Sequence, residues 1–565
     1  MRKPLLLLAL PAALVLAACS DKTATPDAAT PPDAQAAHTF SPDITTGDFD
    51  EMVRMLASDE FEGRAPGTAG EDKTVEYIKA QFERIGLQPG GDNNDWYQTV
   101  PMVETTADPS TVLRLRNDAG ARELKFGDEM VIGTRTGQPE INVVDSELVF
   151  VGYGVDAPEQ NWNDYAGLDL KGKTVVMLVN DPGFHANDAT LFDGEKMTYY
   201  GRWTYKFEEA ARKGAVAALI IHDTPGASYG WDVVKNSWSG AQFDLRAEDD
   251  PEPRLPAQGW ITGDVAKQLF ADAGLDLDEQ IKAANTRGFK PVPLNATVGF
   301  DLKSTIAEKS SRNVVGILPG TEAPDESILY LAHWDHLGKH EGEGDTIYNG
   351  AIDNATGVAG IIEIAEKFAT AEPKPKRSLV FLAVTLEESG LLGSKYYVAQ
   401  PSMGLAQTVG VINLDAMSVA GPSRDFVVTG MGNSELEDIL KTYADQQNRT
   451  LVEEGNTAGG FYFRSDHFNF AKAGVPALYA KGGNDLVDGG AAAGKAATDD
   501  YATRYHQPSD TYNPDWNLDG VVQDLEALYG VGRTLADDGQ WPNWYEGNPF
   551  KAARDQMRSE AGGAP

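Results

Sequence analysis

The sequence predicts an α/β fold, with a mixed, mostly parallel sheet sandwiched by helices. Three observations carry that expectation. Apolar runs at 314–318, 328–332, 378–385 and 409–414 have strand length and little alternation, as strands buried on both faces do. Between two of them, Val358, Ile361, Ile362, Ala365 and Phe368 recur at helical spacing over 357–368. Strands alternating with helices in this way build parallel sheets covered on both sides. His333, Glu387, Glu388 and Asp415 each stand at or just past the end of a run, and sites in such sheets gather at the carboxyl ends of strands.

The elements follow in order. Residues 1–18 read as a targeting segment: Arg2 and Lys3 start it, and the apolar run from Leu5 to Ala18 is too short to span a bilayer. It ends Leu16-Ala17-Ala18-Cys19, which resembles a bacterial lipobox, and Cys19 is the single cysteine of the chain. The expectation is an exported lipoprotein lipidated at Cys19. The resemblance, with Ser20 following, implies outer-membrane anchoring facing the periplasm or cell surface, and membrane contact only through the lipid. Residues 19–43, rich in Asp, Thr, Ala and Pro, read as a flexible tether. A helix is expected over 70–86 from Val75, Ile78, Phe82 and Ile85, with Gly86 ending it, after a polar, turn-rich loop at 56–68.

Residues 44–139 read as the first part of the main domain and 140–295 as a separate module, with strands at 148–152, 174–180 and 215–222 and a helix near 207–213. Residues 296–545 form the rest of the main domain. The Gly/Ala-rich stretch 482–500 reads as a mobile surface loop, and the tail 546–565 as peripheral.

The 565 residues allow two or three domains. With 48 Lys+Arg against 85 Asp+Glu, the formal net charge is −37. Such a surface repels nucleic acid, so no phosphate-backbone partner is expected. One cysteine excludes an intramolecular disulfide and a Cys-rich zinc site, so any metal must use His and carboxylate.

Five short segments are spaced like the ligand set of a two-zinc hydrolase: His333-Trp334-Asp335, 350–354, Glu387-Glu388, Asn413-Leu414-Asp415 and Tyr505-His506. Two histidines and three carboxylates, one of them shared, give three protein ligands per zinc and leave room for water, as in an open catalytic site. Taken alone, Asp353 before a helix could be a capping residue, and Glu387-Glu388 an exposed acidic pair.

The segments 350–357 (Gly-Ala-Ile-Asp-Asn-Ala-Thr-Gly), 387–394 (Glu-Glu-Ser-Gly-Leu-Leu-Gly-Ser), Ser465-Asp466-His467 and 505–511 (Tyr-His-Gln-Pro-Ser-Asp-Thr) resemble the co-catalytic zinc aminopeptidases, metallopeptidase family twenty-eight. The resemblance covers about 50–135 and 300–540. The module between resembles a mostly-β protease-associated domain inserted into a zinc exopeptidase fold. Many members read Ala-Asp-Asp-Asn where this chain has Ala351-Ile352-Asp353-Asn354.

The resemblance implies two Zn²⁺ per chain. Asp353 bridges both, His333 and Asp415 complete one, and Glu388 and His506 the other. It makes Glu387 the general base toward a bridging water: successive side chains of a regular strand point apart, and a turn lets Glu388 bind metal while Glu387 faces the water. Asp335 is expected to hold the His333 imidazole, and Tyr462 to donate to the tetrahedral oxyanion. Phe461 and Phe463 beside Tyr462 also fit a plain aromatic core strand. His336 and His340 are expected on the surface and His467 in a structural role. The implied activity is aminopeptidase hydrolysis of peptides. The alternatives are a carboxypeptidase or dipeptidase on the same scaffold, for which Arg464 and Lys481 are candidate carboxylate binders, or an inactive, receptor-like binding protein.

Overall fold

A computed structural model describes residues 38–118, 120–250 and 252–562. The targeting segment, Cys19 and most of the tether lie outside the described residues. Among the described residues no helix is long and apolar enough to cross a membrane.

The fold class is as expected: a mixed α/β architecture with a large, mostly parallel sheet flanked by helices. Four strands, Arg377–Val384, Ala323–His333, Thr408–Asn413 and Ala477–Gly482, lie side by side in that order, all parallel. Their centres are buried without alternation because helices cover both faces. Leu329 and Leu331 face the cluster of Phe468, Phe470 and Tyr397. Tyr330, between them, points the other way, stacks on Phe381 and donates its hydroxyl to the Leu528 carbonyl in the helix Asp519–Asp537. That helix comes close enough to need Gly532: a Cβ there would stand 1.9 Å from the Tyr330 hydroxyl oxygen.

The intervening segment builds a second sheet. Glu140–Phe150, Thr174–Leu178, Ala217–Ile221 and Ala257–Ile261 are parallel neighbours, with Met130–Gly133 antiparallel at one edge. Val112–Asn117 and Gly120–Lys125 join at the other side, so the sheet takes strands from before residue 140. The 27-residue strand Val292–Leu318 belongs to both sheets. Its first half pairs with Glu140–Phe150 and Val112–Asn117, and its second with Tyr97–Ala107 and Arg377–Val384.

Two local expectations are corrected. The stretch read as a loop at 482–500 contains most of the 15-residue helix Gly490–Arg504. Ala491, Ala492, Ala493, Ala496 and Ala497 supply the strongest helix propensity available, which outweighs the glycines. The tail is not peripheral either. Its helix Lys551–Glu560 buries Arg554, which donates to the carbonyls of Thr408 at 3.0 Å and Val409 at 3.2 Å, at the start of a central strand.

Candidate functional site

The parallel strands deliver the site at their carboxyl ends. His333 is the last residue of its strand. Three residues past Val384, Leu386 having turned the chain with φ +58°, come Glu387 and Glu388. Asp415 follows the strand ending at Asn413, before Ala416 at φ +50°. Asp353 comes from the turn that enters the helix Thr356–Thr370. The Asp510 carboxylate fixes that turn by accepting the backbone N–H groups of Ile352 and Asp353. His506 stands just past the helix Gly490–Arg504, at φ +56°.

Asp353 lies at the centre. Its Oδ1 is 3.3 Å from His333 Nε2, and its Oδ2 is 3.3 Å from His506 Nε2. His333 Nε2 is also 3.6 Å from Asp415 Oδ1, and His506 Nε2 is 3.0 Å from Glu388 Oε2. Ligand-capable atoms of His333, Asp353 and Asp415 all fall within 4.8 Å of one another, as do those of His336, Asp353 and Glu388. Two groups of nitrogen and carboxylate donors sharing one carboxylate fit a pair of borderline divalent cations.

The electrostatics agree. Burial would lower the His506 pKa, but the bonds and charges of Asp353 and Glu388 push it up to about 10. Burial likewise opposes His333, yet Glu387, Asp353 and Asp415 hold it well above the usual imidazole range. Asp353 is held well below the carboxylate range, because the two imidazoles outweigh its burial. Glu387 behaves oppositely: burial, with Glu388, Asp466 and Asp415 nearby, raises it well above that range.

Several side chains sit differently from the sequence expectation. The imidazole of His333 is held by the Asp335 backbone carbonyl, 3.1 Å from Nδ1, while the Asp335 carboxylate is 3.9 Å away. That carboxylate accepts the N–H groups of Glu387 at 3.1 Å and Glu388 at 3.4 Å. His336 is not on the surface: it is 1% exposed, with Nδ1 2.6 Å from Glu388 Oε1. His340 is exposed, as expected.

Tyr462 is buried with its hydroxyl unpartnered, and the charge acting on that phenol is Glu437 rather than the carboxylates around Asp353. Tyr505 and Tyr479 lie at the cluster. Tyr505 stacks on His506 with 3.9 Å between ring centroids, and Tyr479 donates to the Asp415 carbonyl at 3.3 Å. His467 is fully buried against Tyr462, and burial pushes its pKa down to about 3. Lys481 is occupied: its ammonium donates to the carbonyls of Asp415 at 3.2 Å and Ala416 at 2.8 Å.

Arg64 is the residue that sequence reasoning missed. It sits in the loop read as polar and turn-rich, yet it is 1% exposed. Its guanidinium donates to the carbonyls of Trp334 and Gly350, both at 2.8 Å, and of Asn349 at 2.5 Å. Burial draws its pKa down to about 10, against the pull of Asp353, Asp510, Asp335 and Glu388. No local sequence signal marks it.

Parts of the chain are similar to known peptidases. A probable glutamate carboxypeptidase of Arthroderma benhamiae is 28% identical over 214 residues, 36% of this chain and 26% of that protein. The mouse aminopeptidase NAALADL1 is 31% identical over 136 residues, 23% of this chain and 17% of that protein. The chain thus spans about a quarter or less of these two curated relatives. Among solved structures, an aminopeptidase from Aneurinibacillus sp. strain AM-1 is similar with a TM-score of 0.46 and 21% identity, covering 87% of this chain and 94% of that one. Residues 313–529 match Peptidase family M28. That matching segment carries His333, Asp353, Glu387, Glu388, Asp415 and His506.

Proposed function

We propose that the chain is a zinc-dependent exopeptidase, and specifically an aminopeptidase that holds two Zn²⁺. The observation that carries this reading is the division of Asp353, one oxygen toward His333 and the other toward His506. In this reading His333 and Asp415 would hold one ion and Glu388 and His506 the other, with Asp353 contributing to both sites. When bound, the ions would polarise the scissile carbonyl and acidify a water.

The chain's own residues do the rest. Glu387 takes the attacking water's proton on its carboxylate and hands it to the leaving amine. Asp335 holds the backbone of Glu387 and Glu388 so that the pair divides between those two tasks. Family relatives named as aminopeptidases and as a probable zinc metalloprotease support the class of reaction and the metal.

A second reading, carboxypeptidase or dipeptidase action, has its own observation. Arg202 is 9% exposed with Nε unpartnered, and it feels the like charge of Arg464. Among the described residues no ion pair to either arginine is seen, and this reading assigns a substrate carboxylate to them as the partner. An inactive binding protein is the weakest reading, because the ligands and the base are all in place in the sequence.

The deciding experiment uses short peptides with free or acetylated N-termini and free or amidated C-termini, with and without chelator, read by mass spectrometry. Stepwise loss of single N-terminal residues from free amines, abolished by chelator, is the expected result. Loss from the carboxyl end would replace the aminopeptidase reading with the second. We also propose export and lipid anchoring at Cys19. The expected result is that Cys19→Ser releases the protein from membranes.

A further inference from the structure

Arg64 lies outside the segment that matches the family, yet it reaches into the loops that carry the site's donors. Its Nε donates to the carbonyl of Trp334, the neighbour of His333. Nη1 donates to Leu56 and Asn349, and Nη2 to Gly350, with the Asp353 carbonyl at 3.5 Å. Its own carbonyl accepts the N–H of His336 at 3.3 Å. One side chain therefore ties 333–336 to 349–353.

The acceptors of the guanidinium are carbonyl oxygens. The carboxylates of Asp353, Asp510, Asp335 and Glu388 act on it only across space. A cation that ion-paired with Asp353 or Glu388 would compete with a metal for the same oxygens, and this one leaves them free. Burying a charge is costly unless opposite charge compensates it, so its place beside four carboxylates accounts for its stability there.

The backbone is shaped to deliver it. Glu62, Gly63 and Arg64 have φ of 49°, 66° and 53°. A Cβ on Gly63 would stand 2.5 Å from the Tyr348 carbonyl oxygen and 2.6 Å from that of Gly338. Left-handed non-glycine residues persist only where their surroundings hold them.

We propose that Arg64 is a positioning residue for the metal site: it sets the spacing between the His333 and Asp353 loops and supplies a fixed positive charge without occupying a ligand oxygen. This rests on the two-zinc reading above. Lysine keeps the charge but is a point donor that cannot span the loops. Glycine suits the left-handed backbone at this position and removes the guanidinium altogether.

The test is zinc titration of the full chain against a chromophoric chelator for wild type, Arg64→Lys, Arg64→Gly and Arg554→Lys, with denaturant unfolding in parallel. Arg554 is the control: an equally buried arginine that donates to carbonyls at the opposite end of a central strand. Arg64→Lys and Arg64→Gly should weaken zinc binding about tenfold or more. Added guanidinium ion should restore part of the loss in Arg64→Gly. Arg554→Lys should lose stability and keep its zinc affinity. Wild-type affinity in both Arg64 variants, or an equal loss in Arg554→Lys, would overturn the proposal. A wild type that takes up no zinc would overturn the metal reading itself, and this proposal with it.

Discussion

The Asp335 carboxylate accepts the backbone N–H of Glu387 at 3.1 Å, tying the end of one parallel strand to the turn after its neighbour. The proposed general base is thus held through its main chain, a contact that leaves its carboxyl group to move a proton in that reading. Glu387→Gln removes the proton acceptor and keeps that tie. Zinc stoichiometry should remain that of the wild type while kcat falls by roughly a hundredfold or more. Metal analysis beside steady-state kinetics checks both halves, and near-normal turnover would remove Glu387 from the role.

Two imidazoles approach Glu388, His336 at Oε1 and His506 at Oε2. In the proposed site His506 is the ligand and His336 orients the carboxylate. His506→Ala should therefore lower the zinc content by about one ion per chain, because it removes one of three protein ligands. His336→Gln should keep both ions with weaker affinity, by about tenfold or more. The reverse pattern in metal analysis would exchange the two roles.

Arg202 separates the two exopeptidase readings. If the enzyme works from the N-terminus, Arg202→Met should change kcat/KM by no more than a few fold on peptides with amidated C-termini. If it recognises a terminal carboxylate, the same change should cost roughly 2 kcal/mol or more, about thirtyfold, on free acids and little on amides, as a lost charge-assisted hydrogen bond does. Comparing paired free-acid and amide substrates decides it.

Glu363 gives a pH signature away from the metals. It is 2% exposed, accepts the N–H of Thr45 at 3.0 Å, and its pKa is raised from 4.5 to about 8 by burial, with Asp48 and Glu366 adding to the effect. Because the folded pKa lies above the unfolded one, the folded state holds the proton longer. Wild-type stability relative to Glu363→Gln should be greatest below pH 4.5 and fall between 4.5 and about 8, by at most about 1.4 kcal/mol per pH unit. Above that window the difference should be flat. Urea unfolding in chelator at several pH values measures it, and a pH-independent difference would show that Glu363 has an ordinary pKa.

The central strands were legible in the sequence because strands buried on both faces leave unbroken apolar runs; His333, Glu387, Glu388 and Asp415 were marked by the spacing of a two-zinc ligand set, and their place at the ends of those runs supported them. The family resemblance supplied Asp353 and His506, which no periodicity points to. Arg64 was illegible for a physical reason: arginine in a polar loop is normally solvated, and only the tertiary approach of 333–336 and 349–353 turns it inward. His336 was misjudged because burial of a histidine depends on which turn follows the strand. Tyr462 sits in the aromatic setting that Phe461 and Phe463 suggested, facing Glu437. In 482–500 the glycines drew the eye, though the alanines set the structure.

The strand Val292–Leu318 runs without interruption from the sheet of the intervening segment into the sheet that carries the site. Two bodies joined by a flexible linker can swing apart, but two bodies built around one common beam cannot hinge at that seam without breaking ladder hydrogen bonds. In the proposed peptidase, any motion that admits a substrate would then fall to loops rather than to this seam.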